Sequence, residues 1–307
     1  MSERVRITDV SPRDGLQNEP GMIPADEKAR LVELLTRTGV DEVEVSSFVS
    51  ARWVPQLGDA REVFEIVANR KPPGLLFSAL VPNEKGIRAL LRVNDEEGFK
   101  AIDKVAVFTA ASDTFSKQNT NNSIADSIKL SEGVVKEAKK HDLLVRGYIS
   151  CAIRCPFEGD IEPSKVAQVA QTLHDIGCDE IDLGDTIGAG EPATINALFN
   201  ELLNRLGDRR IDQYTLHLHD TFGRAAECVR EALQLGVRSF DGAAGGLGGC
   251  PYASTGGQRA PGNIDTATLV RTVEEAGYET GVDMESLAEA AAFAEKLRAE
   301  ANAGDVV

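Results

Sequence analysis

Residues 163–185 read PSKVAQVAQTLHDIGCDEIDLGD, one copy of the unit from which most of the chain is built. Val166, Val169 and Leu173 recur at helical spacing and form one apolar face. Gly177 is a stop signal for that face, and Glu180–Leu183 follows as a short strand. The same alternation extends in both directions. Strands are expected at Val5–Val10, Glu42–Ser46, Leu75–Val81, Lys104–Thr109, Leu144–Ser150, Glu180–Leu183, Thr215–His219 and Ser239–Ala243. Their spacing of about 30 residues is that of a strand-helix unit. Ala29, Val32 and Leu35 mark a second helical face between the first two strands. Eight such units predict an α/β fold, a closed parallel (β/α)8 TIM barrel of about 250 residues. A doubly wound open sheet would carry GxGxxG after its first strand, and this chain lacks it there. One more helix is expected at Met284–Asn302, from Leu287, Ala290, Ala291, Ala294 and Leu297. The expected organisation is a barrel over residues 1–281 and a C-terminal helical extension over 282–307. That extension would pack on the barrel or on a partner subunit.

Composition excludes several function classes. The 307 residues carry 33 Lys+Arg against 49 Asp+Glu, a formal charge of −16, which speaks against nonspecific binding to nucleic acid or anionic membranes. A local basic or metal site could still bind an anionic small molecule. No run of about 18 apolar residues suggests a membrane span, and Met1–Asp9 resembles a charged strand rather than a signal peptide. Five cysteines without a CxxC pair argue against a disulfide scaffold and point to a reducing, cytoplasmic setting.

In a barrel of this kind the chemistry lies at the C-terminal ends of the strands, and the polar residues that resist a structural explanation collect there. His217 and His219 are two of only four histidines and share a strand face, as residues i and i+2 do. They are either metal ligands or hydrogen-bonded core imidazoles. Arg13 and Asp14 follow the first strand. They read as a surface ion pair or, at the mouth of the same barrel, as an oxyanion-stabilising guanidinium beside a carboxylate ligand. Glu44 interrupts an apolar strand and needs a partner, either Arg13 or a group of the site. Asp182 and Asp185 end the sixth strand, the second with an N-cap role as its plainer reading. The Gly-dense segment 242–262 is longer than most connections in compact domains, and such loops are usually functional. It carries Cys250, a catalytic or an incidental thiol. Asn263 follows, as a turn residue or a further oxygen ligand. Cys151 and Cys155 read as packing residues.

Six segments carry a family resemblance: SPRDGLQNE (11–19), VSSFVSARWVPQLGD (45–59), RGYISCAIRCPFEG (146–159), LGDTIGAGEP (183–192), LHLHDTFG (216–223) and GGLGGCPY (245–252). Together they resemble hydroxymethylglutaryl-CoA lyase, one of a larger group of metal-dependent barrel lyases and aldolases. The resemblance implies a divalent metal, Mg or Mn, held by Asp14, His217, His219 and Asn263. Arg13 would stabilise an enolate oxygen, and Cys250 would move a proton. Asp14 and His217 count among the catalytic groups, while Gln17, Glu44, Tyr148 and Asp185 line the site. The implied reaction cleaves 3-hydroxy-3-methylglutaryl-CoA to acetyl-CoA and acetoacetate, as in leucine and ketone-body metabolism, and the implied assembly is a homodimer. Two positions depart from the family pattern: a longer segment between Cys250 and Asn263, containing Gln258 and Arg259, and Asp182 where Ser is usual. They leave room for a longer branched acyl group. The rival readings are a Claisen-type acyl transferase on the same scaffold and a non-catalytic metal-binding relative.

Overall fold

The computed structural model describes residues 3–249 and 261–303. In chain order, β1 (Arg6–Asp9) leads through a single π-helical turn at Ser11–Gly15 to α1 (Ala25–Leu35). Then come β2 (Glu42–Ser47), α2 (Ala60–Val67), β3 (Leu76–Leu80), α3 (Glu84–Glu97) and β4 (Lys104–Ala110). Two helices follow β4, α4 (Asp113–Thr120) and α5 (Ile124–Lys140), before β5 (Leu144–Ser150). A small antiparallel hairpin, β6 (Arg154–Cys155) with β7 (Gly159–Asp160), stands on the rim. The chain continues through α6 (Pro163–Asp175), β8 (Glu180–Asp185), α7 (Pro192–Leu206), β9 (Tyr214–Leu218), α8 (Ala225–Gln234) and β10 (Ser239–Gly242). It ends with α9 (Thr266–Glu275) and α10 (Met284–Ala303). Strands β1, β2, β3, β4, β5, β8, β9 and β10 close into a parallel barrel, β1 pairing with β10. This is the (β/α)8 architecture that the sequence pattern predicts.

Alternation along the strands divides the protein into two interiors. The outward residues, such as Val43, Val105, Val145, Ile149, Ile181, Leu183 and Leu216, are buried under the helices and form the main hydrophobic core. The inward ones are largely charged or polar. Arg146 on β5 crosses the barrel to Thr8 and Glu42 and pairs with Glu180 on adjacent β8, and Lys104 bridges Glu42 and Glu180. Barrels of this class usually fill the same space with bulky aliphatic side chains. Here the filling is a network of ion pairs, so each charge must meet its partner from another strand or bear the cost of burial. The registry of the barrel is therefore tied to its polar interior.

Local signals place the helices. Asn83 caps α3, Ser112 caps α4 and Asp265 caps α9, each side chain accepting a backbone N–H of the first turn. Ser123 and Asp126 make a reciprocal capping box at the start of α5. Helix α10 lies on its own barrel, with the Arg30 guanidinium of α1 at 5.2 Å from the Phe293 ring and Asn302 Nδ2 donating to Glu19 at 3.2 Å.

Candidate active site

The site gathers at the C-terminal rim. Its first component is the π-helical turn after β1, in which Pro12 provides a fixed φ near the start and Gly15 allows tight passage under Leu247. Such wide turns recur at functional positions. This one presents Arg13 and Asp14 side by side. Arg13 is 6% exposed. Its Nε donates to Glu44 Oε2 at 2.6 Å and its Nη1 to Asp14 Oδ1 at 2.7 Å. The Tyr148 ring lies 5.5 Å from the guanidinium carbon, and the Tyr148 hydroxyl donates to Glu44 Oε2 at 3.3 Å. Glu44, the carboxylate that interrupts an apolar strand, is thus the partner of Arg13.

The second component comes from β9. His217 and His219 turn the same way, their Nε2 atoms 3.3 Å apart. Strand β9 ends at Leu218, one residue earlier than expected, because His219 forms an isolated antiparallel bridge with Asn263. That bridge carries Asn263 to the histidine pair. Asn263 Nδ2 donates to Asp14 Oδ2 at 2.9 Å and to the Leu247 carbonyl at 3.0 Å. Asp14, His217 and His219 each offer a ligand atom, all within 4.8 Å of one another.

Electrostatics separate these groups. Burial works to raise the Asp14 carboxyl, but Arg13 and the two imidazoles outweigh it and hold the group well below the usual carboxylate range. Burial and the neighbouring His217 push His219 down to about 4, so it is a neutral imidazole at physiological pH. His217 is raised: burial opposes its charge, yet Asp241, whose Oδ1 lies 2.8 Å from Nδ1, overrides that effect.

The residues present fit a divalent cation. Asn263 Oδ1 is buried with no hydrogen-bond donor, an acceptor left over beside an anionic carboxylate and two converging imidazole nitrogens. A set of one carboxylate, two imidazoles and an amide oxygen suits a hard or borderline ion. In the linked interior, the carboxylates Asp14, Glu42, Glu44, Glu180, Asp182 and Asp241 outnumber the cations Arg13, Lys104 and Arg146.

The remaining expected residues take different places. Gln17 is half-buried on the turn after Arg13, its backbone N–H bonded to the Arg13 carbonyl. Asp185 accepts the N–H groups of Ala189 and Gly190 at 2.9 and 2.7 Å, closing the loop before α7. Glu191, not Asp185, occupies the N-cap of that helix. Asp182 is fully buried inside the barrel, Arg146 Nη1 being 3.8 Å away. Cys151 and Cys155 are buried and outside any disulfide, with Cys155 Sγ against Ser112 Oγ at 3.1 Å. Cys250, Gln258 and Arg259 lie outside the described residues.

Sequence reasoning missed Asp241 and the inward charges Glu42, Lys104, Arg146 and Glu180. Arg146 and Asp241 carried a signal like that of Glu44, a charge inside an otherwise uncharged strand run, whereas Glu42, Lys104 and Glu180 each follow an aspartate at the strand start and read as part of a charged turn. Applied to every strand, that signal would have revealed Arg146 and Asp241 but not the other three.

Fold and site together define a class: a parallel (β/α)8 barrel with a carboxylate-imidazole cluster at its C-terminal rim. The chain belongs to the HMGL-like family, whose model matches residues 4–294. It is 40% identical over 293 residues to the mitochondrial hydroxymethylglutaryl-CoA lyase of Homo sapiens, the match covering 95% of this chain and 85% of that protein. It is 41% identical over 293 residues to the cytoplasmic 3-hydroxy-3-methylglutaryl-CoA lyase of Mus musculus, covering 95% and 81%. Among solved structures, the HMG-CoA lyase from Brucella melitensis superimposes with a TM-score of 0.90 at 41% identity, covering 97% of this chain and all of that one. An HMG-CoA lyase from Acenitobacter baumannii, in complex with coenzyme A and 3-methylmalate, gives 0.85 at 31% identity over 96% and 92%.

Proposed function

We propose that the chain is a carbon-carbon lyase that cleaves 3-hydroxy-3-methylglutaryl-CoA to acetyl-CoA and acetoacetate. The observation that carries this reading is the convergence of Asp14, His217, His219 and Asn263 beside the buried Arg13–Glu44 pair. The named activity of the relatives, at about 40% identity across nearly the whole chain, supports it. In the cleavage the tertiary hydroxyl loses its proton and becomes a ketone, the C2–C3 bond breaks, and the electron pair leaves on C2 as the acetyl-CoA enolate. A proton returned to C2 balances the one lost, so no redox partner is needed.

Asp14, His217, His219 and Asn263 would hold Mg or Mn, which when bound polarises the substrate hydroxyl and lowers its pKa. The protein's own groups do the rest. Arg13, fixed by Glu44 and stacked near Tyr148, places a permanent charge where the enolate oxygen develops. Glu44 also keeps the guanidinium from being an unpaired buried cation. Cys250 exchanges the proton with C2, Gln17 lines the mouth, and Asp185 keeps the adjoining loop closed over it.

The acyl-CoA substrate class is supported by the coenzyme A complex of the Acenitobacter relative. A role in leucine or ketone-body breakdown, a homodimer and a cytoplasmic setting belong to the same reading. Among the described residues no helix is long and apolar enough to cross a membrane. The barrel over 1–281 would carry the chemistry and 282–307 would buttress it.

The experiment is product analysis with two thioesters, hydroxymethylglutaryl-CoA and an analogue whose methyl is replaced by a longer branch. Equimolar acetoacetate and acetyl-CoA, with kcat/KM at least tenfold higher for the methyl substrate, is the expected result. Preference for the branched analogue would assign Asp182 and the segment after Cys250 to a different acyl group. Cleavage of neither would reject the lyase reading.

A further inference from the structure

The side of His217 that faces away from the other ligands has a partner that the proposed chemistry does not use. His217 Nδ1 lies 2.8 Å from Asp241 Oδ1, and Asp241 is 1% exposed. The two residues are register partners on adjacent strands, β9 and β10. The contact is therefore set by the barrel wall rather than by a loop.

Behind it lies a second carboxyl, Asp182 on β8. Asp241 Oδ2 and both oxygens of Asp182 are buried without hydrogen-bond partners. Asp182, His217 and Asp241 bring their ligand-type atoms within 4.8 Å of one another. The same three groups make a poor second cation site, because Arg146 already stands 3.8 Å from Asp182 and His217 Nδ1 is taken. A carboxylate this deeply buried is costly. Its Oδ1 meets an imidazole nitrogen.

A neutral imidazole carries its proton on one nitrogen or the other, and the hydrogen bond at one end decides which. A carboxylate at Nδ1 accepts the Nδ1 proton and leaves the Nε2 lone pair open. Nε2 is the atom that faces His219, on the side shared with Asp14. We propose that Asp241 is a positioning residue for His217, fixing the tautomer and ring orientation that direct Nε2 to a divalent cation. Asp182, on β8 beyond the intervening β9, packs against Asp241 inside the barrel. The inference rests on the metal-dependent reading of the site. A carboxylate holding a ligating imidazole is worth about 10- to 100-fold in metal affinity.

Mn2+ binding to the metal-free protein, followed by the electron paramagnetic resonance of free Mn2+, compares the wild type with Asp241→Asn. The expected result is a Kd raised at least tenfold in a variant whose circular dichroism and melting are unchanged. An unchanged Kd in the folded variant would overturn the proposal. Should Asp241→Asn not fold, 15N spectra of histidine-labelled wild type at alkaline pH decide the matter. Protonated Nδ1 with bare Nε2 on His217 supports Asp241 as the positioning group, and an Nε2–H tautomer refutes it. A wild type that binds no Mn2+ would instead defeat the metal-dependent reading, and the tautomer would still report on the Asp241 contact.

Discussion

Individual residues carry separable parts of the account. Asp14→Ala and His217→Ala each remove a proposed ligand, so both should lose bound metal and turnover together, as metal analysis beside a rate assay would show. Cys250→Ala should cut turnover by tenfold or more with metal content intact. Loss of metal in that variant would mean that the thiol is a ligand and not a proton carrier. A different residue contributes to the acid behaviour. Asp9 is fully buried and accepts hydrogen bonds from Ser11, Ala244 and Thr266, joining the end of β1 to the segments on either side of the Gly-rich loop. Burial outweighs those bonds and lifts its carboxyl to about 6. A carboxyl raised above its unfolded value near 3.8 binds more protons folded than unfolded between those limits. Its ionisation thus costs stability as pH rises through 6, by about 3 kcal/mol at most. Asp9→Asn lacks that term, so the stability of wild type relative to the variant should grow as pH falls from 7 to 4.5 in urea titrations. A gap that stays constant with pH would contradict it. The legibility of such residues followed their isolation. Glu44 was visible because a charge between valines needs a reason, and the structure provides it in Arg13. Asp9 was not, since a carboxylate at the end of a strand looks like any turn residue until its four donor groups, from Ser11, Ala244 and Thr266, are seen together.

Among the elements, barrel strands were legible and rim insertions were not. Strand β5 occupies Leu144–Ser150 as expected, and β8 runs two residues past its expected end, because outward apolar residues mark a strand regardless of what faces inward. Helix α4 and the β6–β7 hairpin went unread: eight polar-rich residues and two pairs of residues offer too little periodicity. The π-helical turn at Ser11–Gly15 left no pattern beyond Pro and Gly. The stem of the Gly-rich loop makes a sharper claim. Gly248 has φ +100, and a Cβ there would stand 2.6 Å from Asn263 Nδ2 and 3.5 Å from Asp14 Oδ2. Gly248→Ala should therefore displace Asn263 and weaken metal binding at least tenfold. Gly223, at φ +70 with no atom near its missing Cβ, is the control, since alanine there should cost about 1–2 kcal/mol of strain without touching the ligands. Equal metal affinity in both variants would show that Asn263 is not held through this stem.

For the whole molecule, the outer core and the polar interior do different work. Helices buried against the outward strand faces supply the hydrophobic stabilisation, while the inward ion pairs fix registry and bring Asp14, His217 and His219 to one rim. The net charge of −16 gave no hint of this arrangement. Opposite charges had already paired inside, and a surplus of carboxylates gathered around one cluster is invisible in a sum over the sequence. What the sequence could not disclose was which strand's charge meets which, as closure joins β1 to β10 across more than two hundred residues. The central claim is that the ligands collected by this closure make the chain a metal-dependent thioester lyase. Acetoacetate release from hydroxymethylglutaryl-CoA, measured before chelation, after it, and after Mg or Mn is restored, tests that claim most directly. Release that disappears with the chelator and returns with the metal is expected. Release of equal rate in the metal-free protein would contradict the account.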